Sequence, residues 1–151
     1  MIKIRQAKFI ETQTIVDFQL QMAKETEALE LDPAIVQKGV ESVFNNPGLG
    51  QYFVVIIDNQ MVASLMITYE WSDWRNSVVW WIQSVFVQPG FRKQGLFRKM
   101  YHHIKNLSEN DPNIAGLRLY VDLTNENARK VYTAIGMNGN HYQLFEDMKS
   151  Q

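Results

Sequence analysis

The alternation of apolar and polar residues along the chain already divides it into elements. Ile2 and Ile4 alternate with Lys3 and Arg5 at the period of a half-buried strand, and Ile15, Phe18, Met22 and Ala23 then recur at helical spacing. Asp32 followed by Pro33 predicts a second helix start, with an N-cap oxygen and a proline where its missing N–H costs nothing. Val36, Val40, Val43 and Phe44 give that helix its buried face, and Asn46, Pro47 and Gly48 end it. Two β-rich runs, 52–57 and 61–69, joined at Asp58, Asn59 and Gln60, predict a hairpin, and a third strand is expected over 78–87.

Beyond Pro89 the period changes. Leu96, Met100, Tyr101, Ile104 and Leu107 form one apolar stripe of a helix, with Arg98, Lys99, His102 and Lys105 outside it. Leu117, Leu119, Val121 and Leu123 alternate as a strand, Ala128, Val131, Tyr132 and Ile135 make a last helical face, and His141 to Phe145 can close the chain as a strand. The expected order is βααβββαβαβ, a mixed α/β arrangement in a single domain over residues 1–151.

Composition narrows the function without naming it. The 151 residues suit one core, and 46% hydrophobic with 21% charged residues is ordinary for a globular chain. Fifteen Lys and Arg against sixteen Asp and Glu give a net charge of −1, which supplies no field for holding DNA or an acidic membrane. With no cysteine, disulfides, thiolate metal sites and a cysteine nucleophile are excluded, and a cytoplasmic location is the simple expectation. His102 and His103 are adjacent on a helix rather than four apart, so no metal site is expected. The chain opens on a strand and holds no long apolar run, so neither a leader nor a membrane span is expected.

The informative stretch is 85–98. A strand runs into a loop carrying Arg92 and Gly95 where a helix begins, so unpaired backbone N–H groups and the positive end of the helix dipole converge. Such a junction is an anion cradle. Gly95 lets the backbone approach a phosphate, and Arg92, Lys93 and Arg98 add charge suited to a pyrophosphate. There is no Gly-Lys-Ser/Thr of a P-loop and no three-glycine dinucleotide fingerprint.

Val87-x-Pro89-x-Phe91-Arg92-x-x-Gly95 at this junction resembles the acetyl-CoA signature of the GNAT superfamily. Thirty residues on, Asn125, Ala128, Tyr132, Gly136 and Met137 are similar to the family's second motif. Phe97 stands where the family usually has Gly or Ala, and Met137 where it usually has Phe. The resemblance covers nearly the whole chain and implies the GNAT fold, a central splayed mixed β-sheet with helices on both faces. It also implies acetyl-CoA as cofactor, bound by Val85, Phe86, Val87, Arg92, Lys93, Gln94, Gly95, Leu96, Phe97, Arg98, Asn125 and Tyr132. The pantetheine arm would lie between the splayed strands 78–87 and 117–123, bonded to backbone at Val85 and Val87.

On the same resemblance Tyr132 protonates the departing thiolate, its other reading being a filler of the helix face it shares with Ala128 and Val131. Asn125 contacts cofactor or only caps a helix. The family often places a glutamate on the fourth strand as base, but 80–84 holds none, and Gln83 can only orient a water. Glu70 is the leading candidate base, then Asp73, with Glu25 and Glu27 further off. Trp71 and Trp74 with Glu70 and Asp73 could enclose a cationic amine by aromatic faces and carboxylates. Equally, the tryptophans could cover the sheet edge or a dimer contact. The expected function is acetyl transfer to the primary amine of a small molecule by direct attack in a ternary complex, with a protein terminus or lysine as the alternative acceptor. The rival is a non-catalytic acyl-CoA sensor. A homodimer is an expectation from resemblance.

Overall fold

The computed structural model describes residues 1–150. The chain divides into two compact units, Met1–Arg118 and Leu119 onward. In the first, β1 (Ile2–Gln6) leads through a 3₁₀ turn to α1 (Thr12–Glu27) and α2 (Pro33–Asn45), followed by β2 (Gln51–Ile57), β3 (Gln60–Ser72), β4 (Ser77–Val87), α3 (Leu96–Glu109) and β5 (Ile114–Arg118). The five strands lie side by side in sequence order, antiparallel except for the parallel β4–β5 pair. That is the mixed sheet expected.

Local chemistry explains the boundaries. Asp32 caps α2, its Oδ1 accepting from the Ala34 N–H at 2.9 Å. Asp58 and Asn59 both take positive φ (48° and 64°), so β2 and β3 are joined by the two-residue turn whose twist matches the strands. Across β2, Val54 faces the helices of one side, in a core with Ile15, Val16, Phe18, Val40, Tyr52 and Phe86. Its neighbour Phe53 points the other way, against His103 of α3, with ring centroids 5.8 Å apart. Helices therefore cover both faces. Ile15, Leu65, Ile67, Met100 and Ile104 are fully buried, each such side chain contributing about 1.5–3 kcal/mol.

Gly50 is fixed by crowding, because a Cβ there would lie 2.5 Å from the Ile67 carbonyl oxygen. Gly50→Ala must shift one strand against the next and is expected to cost roughly 1–3 kcal/mol, read as a lower urea midpoint.

Three boundaries differ from the sequence expectation. β3 runs on to Ser72, so Glu70 and Trp71 are strand residues rather than connector. The strand expected over 117–123 is instead β5, Ile114–Arg118, because its pairing with β4 begins at Val78↔Ile114 and ends at Trp81↔Arg118. In the second unit, Asp122 accepts from the Thr124 N–H at 2.8 Å and turns the chain before Asn125, which keeps 119–123 from continuing as a strand. The last strand, expected over 141–145, does not form: Tyr142, Leu144 and Phe145 are exposed, and alternation alone makes no strand without a partner edge. The order is thus βααβββαβα. The second unit keeps α4 (Glu126–Ala134), capped by the Asn125 side chain accepting from Ala128 N–H at 3.1 Å. Among the described residues no helix is long and apolar enough to cross a membrane.

Candidate active site

β4 outlasts its parallel partner. Pairing with β5 stops at Trp81, while β4 continues beside β3 to Val87, so no strand of the described residues pairs with 82–87 on the β5 side. Within this stretch the register shifts: Ser64 pairs with Phe86 but Met66 with Gln83, which puts one extra residue in β4. Ser84 absorbs it at φ 52°, a bulge that re-aims the following backbone. Val85 and Val87 are half-buried, whereas the Phe86 ring is buried 4.8 Å from that of Phe18 on α1.

The strand then turns through Pro89–Phe91 into the start of α3. Lys93 (φ 62°) and Gly95 (φ 75°) both take left-handed backbone, and Gly95 caps α3 without any side-chain bond. The first N–H groups of α3 have no acceptor within the helix, and successive amides in such a turn form an anion-binding concavity. Nothing lies within 4 Å of where a Gly95 Cβ would sit, so the cradle is open at its narrowest residue. Lys93 and Arg98 are exposed beside it, and Gln94 donates to the Gly90 carbonyl at 3.4 Å. Leu96 is buried in the core, leaving only its backbone for a ligand, and the Phe97 ring lies beside Tyr101 along the helix, centroids 6.4 Å apart. The residues present suit a pyrophosphate.

Arg92 is engaged away from the cradle. Its Nε donates to the Val87 carbonyl at 2.8 Å, its Nη2 to Glu25 of α1 at 2.8 Å, and its guanidinium lies over the Phe86 ring at 5.5 Å. In sequence Glu25 is only a remote candidate base; it lies 67 residues from Arg92, and no periodic or local signal links the two.

On the sheet face below α1 and α2, cross-strand register brings polar side chains into a row. Gln83 donates to Thr68, and Glu70 accepts from Trp81 Nε1 at 2.7 Å and from Arg118 at 2.9 Å. Those two bonds, Trp81 first, hold the Glu70 carboxyl below the usual carboxylate range. It is ionised at neutral pH and weakly basic. An open pocket of about 190 Å³ next to this row is lined by Arg75, Val79, Gly116 and Arg118 among others.

Trp71 alternates to the opposite face from Glu70, and Trp74, 93% exposed, sits at the β3–β4 turn, where Asp73 accepts its N–H at 2.9 Å. The two tryptophans and Glu70 are therefore not gathered around one point. In the second unit Tyr132 is half-buried on α4, and burial raises its phenol pKa above 10. Asn125 serves there as the cap already described. No group of three or more His, Asp or Glu among the described residues could hold a metal ion.

This architecture recurs in solved structures. The chain is 40% identical to a possible acetyltransferase from Clostridium difficile 630, with TM-score 0.93 over 100% of this chain and 99% of that one. The fold is shared, at 16% identity, by a predicted acetyltransferase from Clostridium acetobutylicum crystallised with acetyl-CoA (TM-score 0.77, 97% and 96% covered). It is shared too by the aminoglycoside acetyltransferase AAC(6')-Iy in complex with a CoA bisubstrate analogue (16%, TM-score 0.79, 99% of each chain). No curated protein matches the sequence. The model of the acetyltransferase (GNAT) family matches residues 15–137, most of the chain and both of its motifs, and the chain belongs to that family.

Proposed function

We propose that the protein is an acetyl-CoA-dependent N-acetyltransferase acting on the primary amine of a small molecule, and that its two units work as one domain. The observation that carries the cofactor is the β4–α3 junction, where Lys93 and Gly95 both take left-handed backbone just ahead of α3, whose first N–H groups have no acceptor within the helix. That acetyl-CoA was bound by a neighbour of the same fold supports the same ligand here. When bound, acetyl-CoA supplies an activated acyl thioester.

The chain's own residues would do the rest. The N–H groups of 93–98 hold the pyrophosphate, with Lys93 and Arg98 adding charge. The unpaired edge of β4 at Val85 and Val87 takes the pantetheine arm as an added strand would be taken. An alkyl amine attacks only when neutral, so a proton must leave it first. Glu70, ionised and set in the Trp81–Arg118 row, receives that proton through water, with Thr68-held Gln83 orienting the water. A base of depressed pKa makes a weak driving force, so turnover is expected to rise with pH as the free amine fraction grows. Tyr132 supplies the proton that the departing thiolate needs; burial keeps its phenol protonated through neutral pH.

Calorimetric titration with acetyl-CoA tests the cofactor assignment. Saturable binding of one molecule per chain is expected, and a folded protein that takes up none would remove the assignment.

A further inference from the structure

Arg92 is the residue whose charge the sequence places at the phosphates, yet its bonds run elsewhere. Nε closes the loop onto Val87, the last residue of β4, and Nη2 reaches Glu25 in the last turns of α1. Glu25 is itself held on both oxygens, Oε1 by Gln21 Nε2 at 2.8 Å and Oε2 by Arg92 at 2.8 Å. Those bonds, Gln21 first, keep its carboxyl below the usual range. The next residue, Lys93, takes the first left-handed turn of the cradle, followed two residues on by Gly95. The guanidinium therefore fixes the point from which the anion-binding backbone departs, and Glu25 fixes the guanidinium.

We infer that Glu25 is a positioning residue for the cofactor loop: through the Arg92 fork it ties the C-terminal turn of α1 to the end of β4 and sets the path of 93–95. This rests on the reading that the loop binds the CoA pyrophosphate. It requires planar, two-direction bonding, which a lysine cannot supply. It also makes α1, a helix on the acceptor-side face, part of the cofactor site, although no residue of α1 lies near the motif in sequence.

The test is calorimetric affinity for CoA in the wild type and in Glu25→Gln, Arg92→Gln, Arg92→Lys and the Glu25→Gln/Arg92→Gln double variant, each with a matched thermal midpoint. Glu25→Gln is expected to weaken CoA about five- to tenfold, the range of a charge-assisted bond that is partly exposed. Arg92→Lys should weaken it as much as Arg92→Gln, and the double variant no more than the worse single, because the two residues act as one unit. Unchanged or tighter binding in Glu25→Gln, or recovery of affinity by lysine at position 92, would mean that Arg92 serves the phosphates directly and would overturn the inference. A wild type that binds no CoA would instead overturn the cofactor reading, and this inference with it.

Discussion

Tyr132→Phe is expected to lower kcat by about a hundredfold or more, the usual worth of a positioned general acid, while leaving the affinity for acetyl-CoA nearly as it was. The ring, half-buried on α4, is kept in the variant and the hydroxyl group is lost. The sign of the pH effect is fixed by the direction of the phenol shift. Burial raises that pKa above 10, so the acid form is complete throughout the neutral range and the contribution of this group is lost only as pH rises through the raised value. Loss of kcat in the phenylalanine variant should be independent of pH between about 6 and 9. Steady-state rates with thiol detection check both statements. A variant with unchanged kcat would assign Tyr132 to packing alone.

The second large effect concerns Gly95→Glu. The position has φ 75° and open space around the missing Cβ, so a side chain is accommodated sterically at a backbone cost of about 1 kcal/mol. The carboxylate then stands among the first amides of α3, where it takes the place of a phosphate and repels the next. CoA affinity should fall about a hundredfold or more, with the thermal midpoint shifting by only a few degrees. Gly95→Ala separates the two causes, since it carries the strain without the charge and should bind within about tenfold of the wild type. Equal losses in both variants would show that backbone conformation, rather than the anion cradle, controls binding.

How far the sequence carries depends on whether a feature is local. The capped start of α2 at Asp32, the Asp58–Asn59 turn and the apolar stripe of α3 are each written within a few residues, and the structure has them. The β4–α3 junction is legible for the same reason: its chemistry lies in backbone conformation, which Gly95 advertises. Strand ends are set by partners distant in the chain. Glu70 falls in β3 because it pairs with Val79, and β5 stops at Arg118 because its register with β4 does; neither limit is visible in the residues themselves. The segment 141–145 alternates as a strand should and is not one, since alternation specifies a face and not a partner.

The same limit governs the side chains of the site. Sequence reading grouped Glu70, Trp71, Asp73 and Trp74 because they are neighbours in the chain, whereas strand geometry sends Glu70 and Trp71 to opposite faces and joins Glu70 to Trp81 and Arg118. Arg92 was legible as a cation next to the cradle, but not as a fork whose other end is Glu25, 67 residues away. Motifs report the backbone of such a site well, and they report the partners of its charges poorly.

The measurement that bears most directly on the central claim is product analysis by mass spectrometry after incubating the protein with acetyl-CoA and a panel of primary amines, monoamines, polyamines and aminoglycosides together with a peptide bearing a free amino terminus. The account expects an N-acetylated small amine formed in step with free CoA, at a rate that rises with pH and that Tyr132→Phe lowers about a hundredfold or more. Binding of acetyl-CoA with release of CoA no faster than in buffer for every amine would contradict it and leave an acyl-CoA sensor on the same fold.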